Sequence, residues 1–237
     1  MKTDYDNLVK VAHCVADAAD KETLSWFRQT NLAADNKDAA GFDPVTQADH
    51  AAEVAMRAVL KDMRPEDAVL GEEQGYSGGT SGLTWVLDPV DGTRAYLSGT
   101  PTWGTLIAAG PDDGPKVGMI SQPYTMERFV GSPDGAVLVR QGVSTPITTR
   151  ATQRLSDAII FTTFPEVGTD VEGRAFHKVA SHCKLARYGL DCYAYGLLAA
   201  GQIDLVIEAG LNAYDIAAPI GVIEAAGGIV TDWDGGK

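Results

Sequence analysis

The spacing of apolar residues changes twice along this chain. Leu8, Val11 and Val15 recur at helical spacing between about residues 5 and 20, which predicts an amphipathic opening helix. The following stretch, 31–42, is polar and irregular, and it predicts a loop. The chain then returns to a helical pattern.

A second helix is expected to begin near Thr46 and to run to about residue 63. Thr46 is followed three residues later by Asp49, and this spacing of a hydroxyl and an acid is typical of a helix start. Pro65 ends the predicted helix because proline cannot continue the hydrogen-bond ladder.

The middle of the chain alternates short apolar runs with glycine and proline. This punctuation predicts a largely antiparallel sheet. The predicted strands are 68–70, 83–87, 105–109, 117–120, 128–130 and 136–139.

From about residue 150, predicted strands alternate with predicted helices, which indicates an α/β half. The expected strands are 158–162, 185–188, 203–207 and 229–233, and the expected helices are 171–182, 192–200 and 216–226. The sequence therefore predicts a mixed α/β protein in two parts. Residues 1–148 form an amino-terminal α+β half, and residues 149–237 form a carboxy-terminal α/β half.

Length and composition narrow the class of protein. The 237 residues, 45% of them hydrophobic, are enough for one large or two smaller cores. No apolar run approaches the roughly 18 residues of a membrane span. The polar, acidic start is not typical of a signal peptide. The three cysteines, Cys14, Cys183 and Cys192, show no C-x-x-C pair or zinc spacing. These features predict a cytoplasmic protein without a membrane partner.

The charge balance excludes one class of partner. The formal net charge is −13, from 19 basic and 32 acidic residues. Affinity for nucleic-acid phosphates depends on lysine and arginine, so a nucleic-acid partner is not expected. The charge is compatible with a bound cation, either a metal or a cationic substrate. Plain solubility is the simpler explanation, because net charge informs association rather than chemistry.

The densest group of candidate ligands is the hexapeptide 88–93, Asp-Pro-Val-Asp-Gly-Thr. It follows the apolar run 83–87, and we expect that strand to stop where the acids begin. Pro89 cannot continue a central ladder, and Gly92 permits backbone geometry closed to other residues. Carboxylate and carbonyl oxygens suit Mg²⁺, Mn²⁺ or Ca²⁺. An ordinary acidic turn is the alternative.

Further acids follow two other predicted strands. Glu72 lies just after the strand 68–70, and Glu73 beside it is expected to be solvated. Asp215 lies near the start of the last predicted helix, where a carboxylate also acts as a helix cap. Capping is therefore an alternative for Asp215. Pro219 is expected only near a helix start.

Four segments in order resemble the motifs of the Mg²⁺-dependent, inositol monophosphatase-like family of phosphatases. They are Gly-Glu-Glu at 71–73, Asp-Pro-Val-Asp-Gly-Thr at 88–93, Tyr-Asp-Ile-Ala-Ala at 214–218 and Glu-Ala-Ala-Gly-Gly at 224–228. The resemblance covers the chain from about Leu8 to its last residue. It implies a layered sugar-phosphatase fold, hydrolysis of a small phosphomonoester and a homodimer.

The resemblance also implies roles for the acids. Glu72, Asp88 and the Val90 carbonyl would hold one Mg²⁺. Asp88, Asp91 and Asp215 would hold a second, with Asp88 bridging. Glu72 would help to hold a third, hydrated ion, and Mn²⁺ is a possible substitute. Two or three ions are therefore expected.

The remaining roles concern phosphate and water. In the family pattern the Gly92 and Thr93 amides bind phosphate. Thr93 orients the attacking water, and Asp49 is hydrogen-bonded to the Thr93 hydroxyl. The resemblance also places Glu72 among the catalytic residues. Metal-assisted attack by water needs no nucleophilic serine or cysteine. None of the four histidines lies in a motif, so they are expected at the surface or in helix packing rather than as ligands. They are His13, His50, His177 and His182.

Two segments, 42–49 and 187–195, look like the histidinol-phosphate phosphatase branch of this family. Asp191 and Glu208 are candidate substrate-binding acids, because histidinol carries an amine and an imidazole. Arg187 is a third candidate, which either pairs with Asp191 or faces the site. The alternative for Asp191 is a cap on the following helix.

The expected reaction is hydrolysis of L-histidinol phosphate to L-histidinol and phosphate. Alternatives on the same scaffold are an inositol-1-monophosphatase and a broader sugar-phosphate or nucleotide 3′-phosphatase. A catalytically silent metal- or phosphate-binding protein and a purely structural acidic domain are alternatives of other classes. Relatives usually continue beyond Lys237 with a strand and a helix, so a truncated carboxyl terminus and an open sheet edge are expected.

Overall fold

The computed structural model describes residues 5–29 and 47–236, together with the backbone of residues 34–36 and 44–46. The helices are α1 (Tyr5–Trp26), α2 (Gln47–Met63), α3 (Thr93–Leu97), α4 (Asp170–Ala180), α5 (Tyr193–Ala199) and α6 (Ala213–Ala225). The first strands are β1 (Ala34–Asn36), β2 (Pro44–Thr46), β3 (Ala68–Gly71), β4 (Gly75–Ser77), β5 (Thr84–Asp91), β6 (Gly104–Gly110) and β7 (Val117–Gln122). The later strands are β8 (Glu127–Ser132), β9 (Gly135–Arg140), β10 (Val143–Ile147), β11 (Ile159–Thr162), β12 (Leu185–Tyr188) and β13 (Leu205–Val206).

Eight of the described strands form one twisted sheet, in the order β10-β9-β8-β7-β6-β5-β3-β4. All neighbours in it are antiparallel except β3 and β5, which are parallel. Successive side chains of a strand point to opposite faces, so both faces of this sheet need cover. The α1–α2 pair covers one face, where Trp85 and Ile107 are buried, and α6 covers the other, where Leu106 and Phe129 are buried.

The smaller sheet has the order β12-β11-β13, and its strands are parallel. Parallel strands require crossover connections, and α4 and α5 supply them. The predicted mixed α/β class is therefore confirmed. Strand β10 ends at Ile147 and β11 begins at Ile159, but α6 returns to pack on the large sheet. The division at residues 148 and 149 stays a prediction.

Helix α6 lies unusually close to the large sheet. A Cβ atom at Gly118 would lie 2.3 Å from the Ala218 carbonyl oxygen, and one at Gly131 would lie 2.2 Å from the Gly221 carbonyl oxygen. Only glycine leaves room for this approach of backbone to backbone. The contact brings the amino-terminal end of α6, with Asp215, toward the end of β5.

The expectation that the β5 strand stops before the acids is wrong. Strand β5 continues through Asp88 to Asp91, and its register to β6 shifts between these two residues. Pro89 lies inside the irregularity, where a ladder bond is dispensable. The Thr105 hydroxyl donates to the Pro89 carbonyl at 2.8 Å and so satisfies this buried acceptor inside the irregularity. Strand β5 therefore continues through the irregularity and carries a carboxylate on each side of it.

Other boundaries also differ from the sequence-based expectation. Helix α1 extends to Trp26, and strands β4 and β10 were not predicted. Pro219 lies inside α6, which begins before the expected start at 216. The expected strand 229–233 is wrong: none of these residues pairs with a described strand, and Ile229 is 85% exposed. An isolated extended segment gains no ladder bonds, so it does not count as a strand.

The predicted loop 31–42 falls mostly outside the described residues. Its described part, β1, is instead a strand that pairs antiparallel with β2. The prediction of a second helix is confirmed, since α2 directly follows Thr46 and ends at Met63. In the described ranges, every helix is too short or too polar to cross a membrane.

Candidate active site

Three carboxylates meet at the junction of the large sheet and α6. Asp88 and Asp91 lie on either side of the irregularity in β5, and Asp215 lies in the first turn of α6. One oxygen from each lies within 4.8 Å of the others. Three acids so close repel one another unless a cation lies among them. The three carboxylates could therefore hold a metal ion.

Asp88 is the most deeply buried of these acids, at 1% exposure. Its Oδ1 atom has no hydrogen-bond partner among the residues that the structure describes. Burial raises the pKa of Asp88 well above its usual range, and the neighbouring charges of Glu72, Asp91 and Asp215 raise it further. A buried carboxylate oxygen without a donor is costly, and a hard divalent cation satisfies it. The donor set therefore fits a metal ion.

Asp91 is fixed by a contact from the other end of the chain. The Cys192 amide donates to Asp91 Oδ2 at 2.7 Å, just before α5 begins. Burial raises the pKa of Asp91 well above its usual range, and the charges of Asp191 and Asp215 add to this effect. The hydrogen bond therefore orients the Asp91 carboxylate within the cluster.

Asp215 caps α6 and also lies in the three-carboxylate cluster. Its Oδ2 atom accepts a hydrogen bond from the Asn212 amide at 2.6 Å, as in a capping box. The same side chain also belongs to the three-carboxylate cluster. Capping and ligation are therefore compatible, because the cap holds one oxygen in a defined direction.

Glu72 borders the three-carboxylate cluster. Its amide donates to the Leu87 carbonyl at 3.2 Å, which continues the pairing of β3 with β5. The Glu72 side chain lines the same cavity as Asp88 and raises the pKa of that residue. The expectation that Glu73 is solvated is wrong. The Glu73 side chain is 1% exposed and lies 2.9 Å from His50 Nδ1, because the turn after β3 folds back onto α2.

The rest of the hexapeptide forms the turn into α3. Gly92 has a φ of 82° and precedes this helix. A Cβ atom here would lie 2.8 Å from Asp191 Cβ, so the position requires glycine both for conformation and for space. The Thr93 hydroxyl donates to the Val90 carbonyl at 3.3 Å. Asp49 is 2% exposed, and its charge raises the pKa of both Asp88 and Tyr96.

These groups open into a cavity of about 320 Å³. The predicted residues that line it are Glu72, Asp88, Val90, Asp91, Gly92, Thr93, Asp191, Glu208 and Asp215. Two predicted residues, Asp49 and Arg187, are not among those lining it. Asp49 is buried, and its charge acts on Asp88. Arg187 lies exposed on β12. The structure thus gathers the acids from four separate stretches of the chain.

Asp191 occupies a strained position on the cavity wall. It has a φ of 45°, in the left-handed region that few residues other than glycine adopt. Burial and the nearby Glu208 raise the pKa of Asp191 to about 6, although Thr102 and Arg94 oppose this shift. The arginine whose charge acts on Asp191 is therefore Arg94. Arg187 lies exposed on β12, away from the residues that line the cavity.

Glu208 is held beside Asp191 by hydroxyl and amide donors. The Thr163 amide and hydroxyl donate to Glu208 Oε1 at 2.7 and 2.8 Å, and the Thr162 hydroxyl donates to Oε2 at 3.3 Å. Burial raises the pKa of Glu208, and the hydrogen bonds limit the rise. Two half-buried acids thus share one end of the cavity.

Several lining residues were missed by the sequence argument. Arg94 directly follows the hexapeptide, and this position could have identified it as a site residue. Its guanidinium lies 4.7 Å from the centre of the Phe164 ring. Phe164 and Thr163 follow the end of β11, where ligands commonly bind in parallel sheets, but no local motif marks them. Asn212 was missed for the same reason, whereas Tyr195 ends the segment 187–195 that was singled out but was not itself named as a site residue.

Comparison with known proteins places the chain in one family of phosphatases. The inositol monophosphatase family model matches residues 4–237. The chain is 40% identical to the chloroplastic bifunctional phosphatase IMPL2 of Arabidopsis thaliana over 98% of its own length, and it spans 66% of that protein, slightly under two thirds. It is 35% identical to the histidinol-phosphatase of Streptomyces coelicolor, covering 98% of this chain and 89% of that one.

Solved structures agree with the sequence matches. An inositol monophosphatase structure from Zymomonas mobilis has a TM-score of 0.86 and 40% identity, and the match covers 99% of this chain and 89% of that one. The layered α/β architecture predicted from the motifs is therefore confirmed. Names for both histidinol phosphate and inositol phosphate chemistry occur among the relatives.

Proposed function

Because the chain belongs to the inositol monophosphatase family, whose members are phosphatases, we propose that it is a Mg²⁺-dependent phosphomonoesterase acting on L-histidinol phosphate. The products are L-histidinol and phosphate. The observation that carries the substrate assignment is the pair of half-buried acids, Asp191 and Glu208, in the same cavity as the carboxylate cluster.

Asp88, Asp91 and Asp215 would hold one Mg²⁺, and Glu72, Asp88 and the Val90 carbonyl would hold another. Oxygen-only donors and raised carboxyl pKa values favour a hard divalent ion, with Mn²⁺ as a substitute. When bound, Mg²⁺ neutralises phosphate charge, lowers the pKa of water and stabilises the leaving oxygen. A third, hydrated ion near Glu72 belongs to the same proposal.

Thr93 and Asp49 position the attacking water. The bond from the Thr93 hydroxyl to the Val90 carbonyl is long for an O–H donor, at 3.3 Å, so the hydroxyl is weakly held. It therefore turns easily toward Asp49, and its oxygen then accepts a proton of the water. Asp49 is buried, and its charge acts on the neighbouring Asp88. The Gly92 and Thr93 amides, at the turn into α3, hold the phosphate oxygens.

Asp191 and Glu208 hold the part of the substrate that is not phosphate. Histidinol presents an ammonium group and an imidazole, and both donate hydrogen bonds to carboxylates. A cation in this end of the cavity also relieves the repulsion between the two acids, which is one cause of the raised pKa of Asp191. A neutral polyol offers hydroxyl groups but no such compensation.

An inositol-1-monophosphatase is the second candidate. It is favoured by the 40% identity to the Zymomonas mobilis inositol monophosphatase and by the fold shared with it. Hydroxyl groups of inositol would then bond to Glu208 and Asp191. A silent phosphate-binding protein would not need the water-positioning pair, Thr93 and Asp49. The cytoplasmic location and the homodimer stay predictions.

The deciding experiment compares phosphate release from histidinol phosphate, inositol 1-phosphate and 3′-phosphoadenosine 5′-phosphate in Mg²⁺, by kcat/KM. We expect histidinol phosphate to be preferred. Equal rates on all three substrates would contradict the histidinol assignment but leave the phosphatase in place. Activity on none of them, with metal bound, would contradict both.

A further inference from the structure

A buried carboxylate outside the cavity contacts the turn that carries Glu72. Glu53 lies on α2, and its side chain is completely buried. Its Oε2 atom accepts a hydrogen bond from the Glu73 amide at 2.7 Å, and its Oε1 atom accepts one from the Gln74 amide at 3.1 Å. The two amides are the next two along the chain after Glu72.

Arg57 completes this arrangement from the next turn of α2. Its Nε atom donates to Glu53 Oε1 at 2.7 Å. Its other nitrogens donate to the Gly75 carbonyl at 2.5 Å and to the Ser77 hydroxyl at 3.0 Å. Arg57 therefore neutralises the buried charge and also binds the strand that follows the turn. The pair connects one helix to both sides of the turn.

Gly71 shows how closely the turn lies against Glu53. A Cβ atom at Gly71 would lie 2.1 Å from Glu53 Oε1, so no larger residue fits while Glu53 keeps this position. On its other side, the Glu72 amide donates to the Leu87 carbonyl of β5. Backbone hydrogen bonds to two different elements thus define the position of Glu72.

We propose that Glu53, together with Arg57, is a positioning residue for the metal site and sets the direction of Glu72. The inference rests on the metal site of the proposed function. A buried ion pair contributes little to stability compared with apolar packing of the same volume. Its geometry, two adjacent amides on one carboxylate, instead defines one orientation of the turn. Groups that orient a metal ligand commonly change metal affinity by about 10- to 100-fold.

The test is Mg²⁺ binding by calorimetry to the full chain and to Glu53→Gln. Glutamine keeps the shape, but it places an N–H group against one of the amides and leaves Arg57 without its counter-charge. We expect the Kd for Mg²⁺ to rise about 10- to 100-fold. We also expect the phosphatase kcat to recover when Mg²⁺ is raised in proportion. Arg57→Lys keeps the positive charge but loses the several N–H donors of the guanidinium, so it should give a smaller rise in Kd.

Asp204→Asn is the matched control. Asp204 also accepts a backbone amide, that of Ile159 at 2.7 Å, and also pairs with an arginine, Arg150, but it lies in the smaller sheet. Its substitution should leave the Kd for Mg²⁺ unchanged. An unchanged Kd in a folded Glu53→Gln protein would overturn the inference, as would an equal rise in the control.

Two further outcomes separate this inference from the proposed function. If Glu53→Gln does not fold, Arg57→Lys decides by the same measurement, and an unchanged Kd there overturns the inference. If the unsubstituted protein binds no Mg²⁺, both the metal site and the positioning role fail. Saturable binding without activity on any tested phosphate contradicts the proposed phosphatase function but leaves the positioning role of Glu53 intact.

Discussion

The Cys192 amide donates a hydrogen bond to Asp91 Oδ2 at 2.7 Å, between residues far apart in the sequence. This contact joins the end of β5 to the start of α5. It fixes one Asp91 oxygen and places Asp191, the preceding residue, against Gly92. The three-carboxylate cluster and the end of the cavity that holds Asp191 therefore share one structural connection.

Removing the Asp91 charge should lower the phosphatase activity without unfolding the protein. In Asp91→Asn we expect phosphate release to fall by more than the roughly 100-fold typical of losing an outer-shell group, because a proposed metal ligand is lost. The fold should remain, because the charged form of Asp91 is disfavoured by burial. Initial rates in Mg²⁺ and thermal unfolding measure the two effects. Asp134→Asn, on an exposed turn, removes the same charge and should keep full activity.

Thr93→Ala should lower kcat far more than it weakens metal binding. The hydroxyl is proposed to position water, and such positioning commonly contributes about 100-fold or more to the rate. Thr93→Ser keeps the hydroxyl and should retain most of the activity. Steady-state kinetics and Mg²⁺ calorimetry test this. Equal losses of kcat and of metal affinity would argue against the water-positioning role.

Asp191→Asn should lower kcat/KM for a substrate that carries a cation and leave it nearly unchanged for one that does not. We expect kcat/KM for histidinol phosphate to fall about 10- to 100-fold, as for the loss of a charge-assisted hydrogen bond of about 1.5–3 kcal/mol. The value for inositol 1-phosphate should change little, because that substrate carries no cation. A similar loss for both substrates would show that Asp191 supports the site structure, for example through its contact with Gly92.

Mg²⁺ should stabilise the folded protein. Without a cation, Asp88, Asp91 and Asp215 repel one another, and burial and repulsion raise the pKa of Asp88. An ion that binds only the folded state adds about 2.7 kcal/mol when its concentration is 100 times Kd. Thermal unfolding in chelator and in rising Mg²⁺ measures this shift. A Tm independent of Mg²⁺ would contradict a site formed by these acids.

Acid should weaken the smaller sheet through Asp204. Burial alone would raise the pKa of this carboxyl, but hydrogen bonds from Arg150, Thr152 and the Ile159 amide outweigh it and lower the pKa. A lowered pKa means that the folded state prefers the charged form. The stabilisation is therefore present above the unfolded pKa and is lost as the pH falls through the folded value.

Asp204→Asn tests this directly. At pH 7 we expect the free energy of unfolding to fall by about 1 kcal/mol, the contribution of a typical hydrogen bond. The difference from the unsubstituted protein should begin to shrink as the pH drops below about 4, the unfolded pKa, because the unfolded state then gains the proton first. It should disappear only below the lowered folded pKa, where the aspartate is protonated in both states. Urea unfolding at several pH values measures it. A difference that stays constant with pH would show that charge is not involved.

Local patterns were sufficient for much of the fold. Helix α2 begins directly after Thr46, as the capping pattern indicates, and β12 has the predicted bounds. The segment 229–233 failed because an apolar run becomes a strand only where a neighbour supplies hydrogen bonds. The passage of β5 through Pro89 could not be predicted either, since the hydroxyl that satisfies the Pro89 carbonyl, that of Thr105, comes from β6.

By itself, the sequence determined the chemical types: an acidic hexapeptide, two further acids at the ends of predicted elements, and motifs in the order of one phosphatase family. Only the tertiary structure decided which groups meet. It brought Asp215 to Asp88 because glycines let α6 lie on the sheet, and it placed Arg94 rather than Arg187 opposite Asp191. Spacing along a chain specifies local geometry, whereas distances between distant segments depend on how whole elements pack.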